Sequence, residues 1–251
     1  MKVSIITVCF NRASTIRDCI ESVLGQDYPD IEYIVVDGAS SDGTCDVVGE
    51  YRDRLAVLVS EPDSGMYDAI NKGLRMASGD IVGLLHSDDM FYSSQTVSRI
   101  VESFAQTGAD FLYGDGVFVS PTDSGRVVRK WIGGAYRLWK VRNGWLPLHP
   151  TCYIRRDVML RKGFYNAAYK IAADTDLLLR YLLSGELHVF YLKEFIVRMR
   201  MGGLSTSSKR RSEMWNEDVR IYNSHGLSPL FSKIEKVTWK IPQFVRAKLR
   251  F

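Results

Sequence analysis

No stretch of this 251-residue chain reaches the roughly 20 consecutive apolar residues that cross a bilayer. Nor does its start carry a basic segment, an apolar signal core or a small-residue cleavage site ahead of the strand-like run KVSIITVCF. A spanning or secreted chain is therefore not expected, and the expected location is cytoplasmic. Cysteine is scarce: Cys9, Cys19, Cys45 and Cys152 have no CxxC spacing, so they read as reduced, mostly buried thiols rather than a disulfide or zinc framework. No arginine-rich tract sits in a nucleic-acid-binding pattern, and a net charge of +4 is too mild to imply a nucleic-acid partner. Internal repeats and low-complexity linkers are also missing.

What remains is a chain with 46% apolar residues, long enough to bury a substantial core. Its first half alternates apolar β-rich runs with helical patterns. KVSIITVCF is followed by Ile16, Ile20, Val23 and Leu24 at helix spacing, then by IEYIVVD, a Gly/Ser loop, a short helix and LAVLVSE. Repeated strand–helix units predict an α/β fold with right-handed crossovers, and the two-sided apolarity of the first run predicts a parallel strand covered on both faces. A helix is expected from Met66 to about Met76, then a strand IVGLL that ends in HSDDM. In such sheets ligands bind beyond the carboxyl ends of the strands, so the loops after Phe10, Val36, Ser60 and Leu85 should meet at one crevice. The second half is less regular. Val97, Ile100, Val101 and Phe104 predict a helix, DFLYGD a strand, ADTDLLLRYLLSG a helix, and HVFYL and EFIVRMRM two further strands.

Several loops bear chemistry. DGASSDGT (Asp37–Thr44) closes a strand with a carboxylate and continues in small residues that allow close approach of a planar ligand; the plainer reading is a turn capped by Asp42 or Thr44. EPDSGMYDAINKG offers Asp63, Asp68, Asn71 and Lys72 near a helix start, or simply a polar surface. Asp88 and Asp89 follow an apolar strand directly, where charge needs a reason.

Together SIITVCFN, YIVVDGASSDGT, EPDSGMYDAINKGLRMASGDIVGLLHSDD and IAADTDLLLRY resemble the inverting glycosyltransferase family 2, and within it the branch that builds O-antigen and exopolysaccharide repeat units. The resemblance spans about residues 1–205. It implies a GT-A fold, with a Rossmann-like, mostly parallel central sheet flanked by helices, divided into a nucleotide-sugar half (1–115) and an acceptor half (116–205). A C-terminal helical, basic extension (206–251) would follow. The implied activity is a hexosyltransferase one: transfer of one sugar from a nucleotide-diphospho sugar, UDP-linked, to a saccharide acceptor carried on a polyprenyl diphosphate. By the same resemblance Thr7, Asn11, Asp37, Asp63, Asn71, Lys72, Ser87 and Asp88 bind the donor, Asp37 accepting from a uracil imide. Asp88 and Asp89 match the family's metal-binding element, with Mn2+ or Mg2+ as the cation. A carboxylate pair facing a diphosphate is repulsive unless such an ion reverses the local sign. His86 stands where that element often begins with an acid, and either a soft ligand or a hydrogen-bonded structural residue fits there.

Inversion requires a base in line with the acceptor hydroxyl. AADTD matches the family's acidic motif, with Ala173 replacing its usual Glu and Asp174 retaining the Asp, so Asp174 is the implied base; an N-cap role is the rival reading. Asp176, about 200° further round a helix, cannot share that face and is expected to cap or pair structurally. His149 resembles a family histidine on the acceptor side. The loop MGGLSTSS resembles one that closes over the donor, though a plain connector fits too. Neither the QxxRW-like motif nor the membrane helices of processive members occur, which favours single-sugar transfer.

From Pro229 onward, apolar residues recur at helical spacing among Lys233, Lys236, Lys240, Arg246, Lys248 and Arg250. The segment either lies on the inner face of the cytoplasmic membrane, against anionic lipid, or packs on the core with a solvated basic face. Two other classes compete with glycosyl transfer. A sugar-phosphate nucleotidyltransferase needs a glycine-rich phosphate loop after its first strand, and CFNRASTIRDC has no glycine. A non-catalytic nucleotide-sugar-binding module would have no use for a base at Asp174.

Overall fold

β1 (Val3–Cys9) is buried at every position, and its two parities feed different cores. Ile6 and Val8 pack on one face of the sheet, Val3, Ile5 and Cys9 on the other. That is the environment expected of a parallel strand under helices on both sides. The computed structural model describes residues 1–202 and 211–230. On either side of β1 run β2 (Ile31–Asp37) and β4 (Ile81–Leu84), both parallel to it, and β3 (Val57–Ser60) extends this half beyond β2. α1 (Ile16–Leu24) buries Ile16, Cys19, Ile20 and Val23, spaced to share one face. α2 (Thr44–Gly49) is a short helix after the second strand, and α3 (Met66–Met76) covers the opposite face from α1.

Beyond β4 the sheet becomes mixed. Its full order is β3-β2-β1-β4-β8-β6-β9-β5, with β7 on β6, where β5 is Met90–Phe91, β6 Phe111–Val119, β7 Val127–Trp131, β8 Tyr153–Arg155 and β9 Val189–Arg200. β8 runs antiparallel to β4 and β6, whereas β9 is parallel to β6 and antiparallel to β5. At the β4–β8 junction Gly83 is needed for space, because a Cβ there would overlap the Tyr153 ring.

α4 (Thr96–Thr107) forms where Val97, Ile100, Val101 and Phe104 predict it, ending at Gly108 with φ +64°. β9 departs from the sequence expectation. HVFYL and EFIVRMRM form one 12-residue strand, not two. The apolar pattern breaks because Lys193 and Glu194 are exposed, and the pairing register with β6 shifts between Tyr113 and Asp115 at the same place. α5 (Leu138–Arg142) and α6 (Arg156–Lys162) are short, and α7 (Ala173–Leu182) buries almost all its length. α8 (Arg211–Ser224) contributes Ile221 and Tyr222 to the same core cluster as α7. The expected loop over 201–208 lies outside the described residues from 203 onward, and so does the basic amphipathic segment from 231 onward.

Candidate active site

The strand-end loops are tied to one another at the carboxyl edge of the parallel half. Asn11 donates its N–H to Ser40 Oγ (2.8 Å) and accepts that of Ser41 (3.0 Å); Arg12 N–H reaches Thr44 Oγ1 (2.7 Å), and Ala13 N–H reaches Asp42 (3.0 Å). Asn11 and Ala39 both adopt positive φ, +53° and +62°, so each chain reverses sharply after its strand. Asn11 thus shapes the crevice by binding the second loop.

Asp37 is fully buried. Its oxygens accept from Ser40 N–H (2.9 Å), Ser40 Oγ, Cys45 Sγ (3.0 Å), Ser60 Oγ (2.7 Å) and Cys9 Sγ (3.5 Å). Burial would raise its pKa, but these donors outweigh it and hold the carboxyl below the usual range. Any nucleobase imide contact requires one of these bonds to yield. Thr7 needs a plainer correction. It has no exposed surface and takes the Tyr33 hydroxyl bond at 3.1 Å, so it supports the strand from beneath and cannot touch a ligand in this conformation.

Two further donor-binding expectations also resolve into loop architecture. Asn71 bonds both backbone groups of Tyr165, Nδ2 to the carbonyl at 2.8 Å and Oδ1 from the N–H at 3.1 Å. Lys72 holds the Pro62 carbonyl (2.9 Å) and Glu61 (2.8 Å). Through those bonds they tie α3 to the loops at residues 61–62 and 165. Asp63 accepts the Gly65 N–H at 2.8 Å and lies so close to Gly38 that a Cβ at 38 would collide with it. Beside them is a residue that the sequence patterns did not single out. Phe10, one position past β1 and part of the apolar run expected to be covered on both faces, is 59% exposed and lies against Gly38. The available signal was a large apolar residue falling after the last buried strand position.

HSDDM makes a turn closed by the Asp89 N–H to the His86 carbonyl at 2.9 Å. Ser87 is buried, Asp88 half-buried and Asp89 only 3% exposed. Asp89 accepts the Arg200 N–H at 3.1 Å, a contact made because β5 pairs Met90 with Arg198 on β9. Burial, with the Asp88 charge added, pushes the Asp89 carboxyl well above the usual carboxylate range. A buried carboxylate beside a second one is what a divalent cation would stabilise, and two carboxylates fit the Mg2+ habit of completing its shell from phosphate and water. Among the described residues no set of three or more His, Cys, Asp or Glu side chains forms a cage of protein ligands alone.

From His86 a run of largely buried side chains leads to α7. The His86 and His149 rings lie 6.0 Å apart, His149 Nε2 and the Tyr165 hydroxyl share a 2.6 Å hydrogen bond, and Tyr165 stacks on Tyr67 at 5.6 Å. Tyr67 O–H donates to Asp174 Oδ1 (3.2 Å) and to the Ile171 carbonyl (2.8 Å). Burial lowers His149 to about 4, against the upward pull of Asp174, so its ring is neutral at pH 7. Asp174 is not the N-cap, which is Ala172; it sits in the first turn of α7 and accepts the Thr175 N–H at 2.8 Å. Asp176 pairs with Arg180 (2.9 Å) and His225 (3.2 Å), away from Asp174.

A mixed sheet whose parallel half has its strand-end loops gathered at one edge, a carboxylate pair after β4 and a further carboxylate at the head of α7 narrow the identity considerably. The family model for glycosyl transferase family 2 matches residues 4–166. The chain belongs to glycosyl transferase family 2. Members of this family are transferases, and this one is an enzyme of that kind. It is similar to a PGL/p-HBAD biosynthesis glycosyltransferase of Mycobacterium bovis (strain BCG / Pasteur 1173P2), 29% identical over 209 residues that cover 81% of this chain and 79% of the relative. A glycosyltransferase of Mycobacterium tuberculosis (strain ATCC 25618 / H37Rv) is 33% identical over 187 residues, covering 73% of this chain and 70% of its own. Among solved structures, S. aureus TarS 1-349 in complex with UDP-GlcNAc superposes with a TM-score of 0.70 at 20% identity, covering 95% of this chain and 71% of that 1-349 chain. Mannosyltransferase PcManGT from Pyrobaculum calidifontis, in complex with GDP-Man and Mn2+, gives 0.66 at 19% identity, covering 98% and 73%. These likenesses establish the GT-A fold of this family 2 enzyme.

Proposed function

We propose that this family 2 enzyme transfers a single sugar, with inversion, from a UDP-linked sugar to a saccharide acceptor carried on a polyprenyl diphosphate, in assembly of an O-antigen or exopolysaccharide unit. The observation that carries the reading is the contact run from His86, in the turn that holds Asp88 and Asp89, through His149, Tyr165 and Tyr67 to Asp174 at the head of α7.

In this reading Phe10 supplies a flat apolar face for the nucleobase, beside the loop that Asn11 and Asp37 organise. Asp88 and Asp89 would hold Mn2+ or Mg2+, which would stabilise charge on the departing diphosphate. Asp174 takes the acceptor hydroxyl proton as the acceptor oxygen bonds to the anomeric carbon. The bond from that carbon to the diphosphate oxygen breaks on the far side, and the nucleoside diphosphate leaves with the electron pair. The Tyr67 O–H and Thr175 N–H contacts fix one carboxylate oxygen of Asp174, which leaves the other to meet the hydroxyl. Neutral His149 sets the Tyr165–Tyr67 stack without adding charge between base and diphosphate.

Support for an anionic lipid-linked acceptor comes from the acceptor half. Between Asp123 and Asp157 there is no acidic residue, while Arg126, Arg129, Lys130, Arg137, Lys140 and Arg142 fall there, with Trp139 55% exposed. No helix among the described residues is long and apolar enough to cross a membrane, so contact with the bilayer would be peripheral.

A thermal-shift screen of nucleotide sugars, with and without Mn2+, tests the donor assignment. A UDP-sugar that stabilises the protein should also release UDP slowly, and Asp88→Ala, Asp89→Ala and Asp174→Asn should each abolish that release. Absence of any nucleotide-sugar-dependent shift would overturn the reading.

A further inference from the structure

The Glu217 carboxylate, on α8, accepts three consecutive backbone N–H groups from the turn that enters α7. They belong to Lys170 (2.7 Å), Ile171 (2.9 Å) and Ala172 (2.9 Å). Such a focus of donors on one side chain has a local cause. The N-cap of α7 is Ala172, which has no side-chain oxygen to offer. A carboxylate from 45 residues further along fills that place, where the aligned peptide dipoles favour negative charge.

The turn is held from the donor side as well. Lys170 Nζ donates to the Ser64 carbonyl at 3.1 Å, and Ser64 adjoins Asp63 in the loop that lies against Gly38. One turn of backbone is thus gripped between the donor loop and α8. A second grip lies lower on the helix, where Asp176 is paired to His225, just past the end of α8. Asp174 stands two residues beyond Ala172. Its carboxylate direction follows from how the start of α7 is aimed, and a shift of about 1 Å in a reacting group costs rate steeply.

We propose that Glu217 is a positioning residue, which holds the 170–172 turn so that Asp174 faces the acceptor oxygen and which links that turn, through Lys170, to the donor loop. This rests on the reading of Asp174 as the base. Glu217 itself has no part in binding the donor. Its removal leaves three N–H groups seeking water and lets the first turn of α7 fray, with the base aboard.

The test uses the full chain, Mn2+ and the UDP-sugar that most stabilises the wild type, reading UDP release and donor affinity together. Glu217→Ala should lower kcat at least tenfold while donor Kd stays within about twofold, and Asp174→Asn should lower kcat further with the same donor Kd. If Glu217→Ala keeps the wild-type kcat while Asp174→Asn is inactive, the positioning role is wrong. An equal loss of donor affinity and of kcat in Glu217→Ala would also overturn it, since that marks general collapse. Should Asp174→Asn keep its rate, it is the base assignment that fails. Hydrogen exchange on the wild type reads the contact without any variant: the amides of residues 170–172 should be protected like the interior of α7. Exchange at the rate of an open turn would overturn the proposal even if Glu217→Ala did not fold.

Discussion

His149 Nε2 and the Tyr165 hydroxyl meet at 2.6 Å, and this one bond joins the segment before β8 to the segment before α7. Burial lowers His149 to about 4, so between that value and the ordinary histidine pKa the unfolded chain binds a proton that the folded one refuses. The contribution to stability is therefore complete above about pH 6.5 and is lost as pH falls towards 4. In urea denaturation, the stability difference between wild type and His149→Gln should change with pH across that window. A difference that stays constant would contradict the burial-driven shift.

Asp89 carries the opposite sign. Burial and Asp88 disfavour its charge, while its Oδ1 accepts the Arg200 N–H, a bond that an amide oxygen preserves. Asp89→Asn should thus melt at or above the wild-type temperature in EDTA, yet lose the added stabilisation that Mn2+ and the donor give the wild type. A variant that melts lower in EDTA but still responds to Mn2+ would show Asp89 to be structural only.

Asp37→Asn turns one oxygen into a donor facing donors. Because the buried carboxylate accepts from Ser40, Cys45 and Ser60, the cost should be about 2 kcal/mol of unfolding free energy. Chemical denaturation measures it, and donor affinity should fall alongside as the second loop loosens.

Phe10→Ala removes an exposed ring and no core packing. Stacking on a base is worth about 1–3 kcal/mol, so donor Kd should rise about tenfold or more with little change in kcat or melting temperature. Unchanged donor affinity would place the nucleobase elsewhere.

Ala39 at φ +62° holds a conformation that glycine adopts without strain. Ala39→Gly should stabilise the loop by up to about 1 kcal/mol relief of strain, less the extra chain entropy of glycine. A clear fall in melting temperature would mean that the Ala39 methyl is packed.

Much of this was legible in the residues themselves. The apolar parity of β1, the i, i+3, i+4 spacing of α1 and α4, and the carboxylates placed straight after an apolar strand all depend on neighbours within a few positions. Asp176 was expected to pair structurally and does so, because helical geometry alone turns it away from Asp174. Thr7, Asn71 and Lys72 read differently once folded. Each has the chemistry to bind a nucleotide, but Tyr33 and Tyr165, 26 and 94 positions away, bond Thr7 and Asn71, and the Glu61–Pro62 turn bonds Lys72. No local pattern marks such partners.

The α/β alternation, the gathering of loops at the strand ends and the family follow from the residues alone, since hydrophobic periodicity and short ordered motifs are local properties. Which polar side chains are consumed in holding those loops and helices together emerges only on folding. Folding brought Asp89 beside Arg200 across 111 positions and set Glu217 at the head of the helix that carries Asp174. The physical reason is that a buried donor or acceptor must find a partner wherever the fold supplies one, however far along the chain that partner lies.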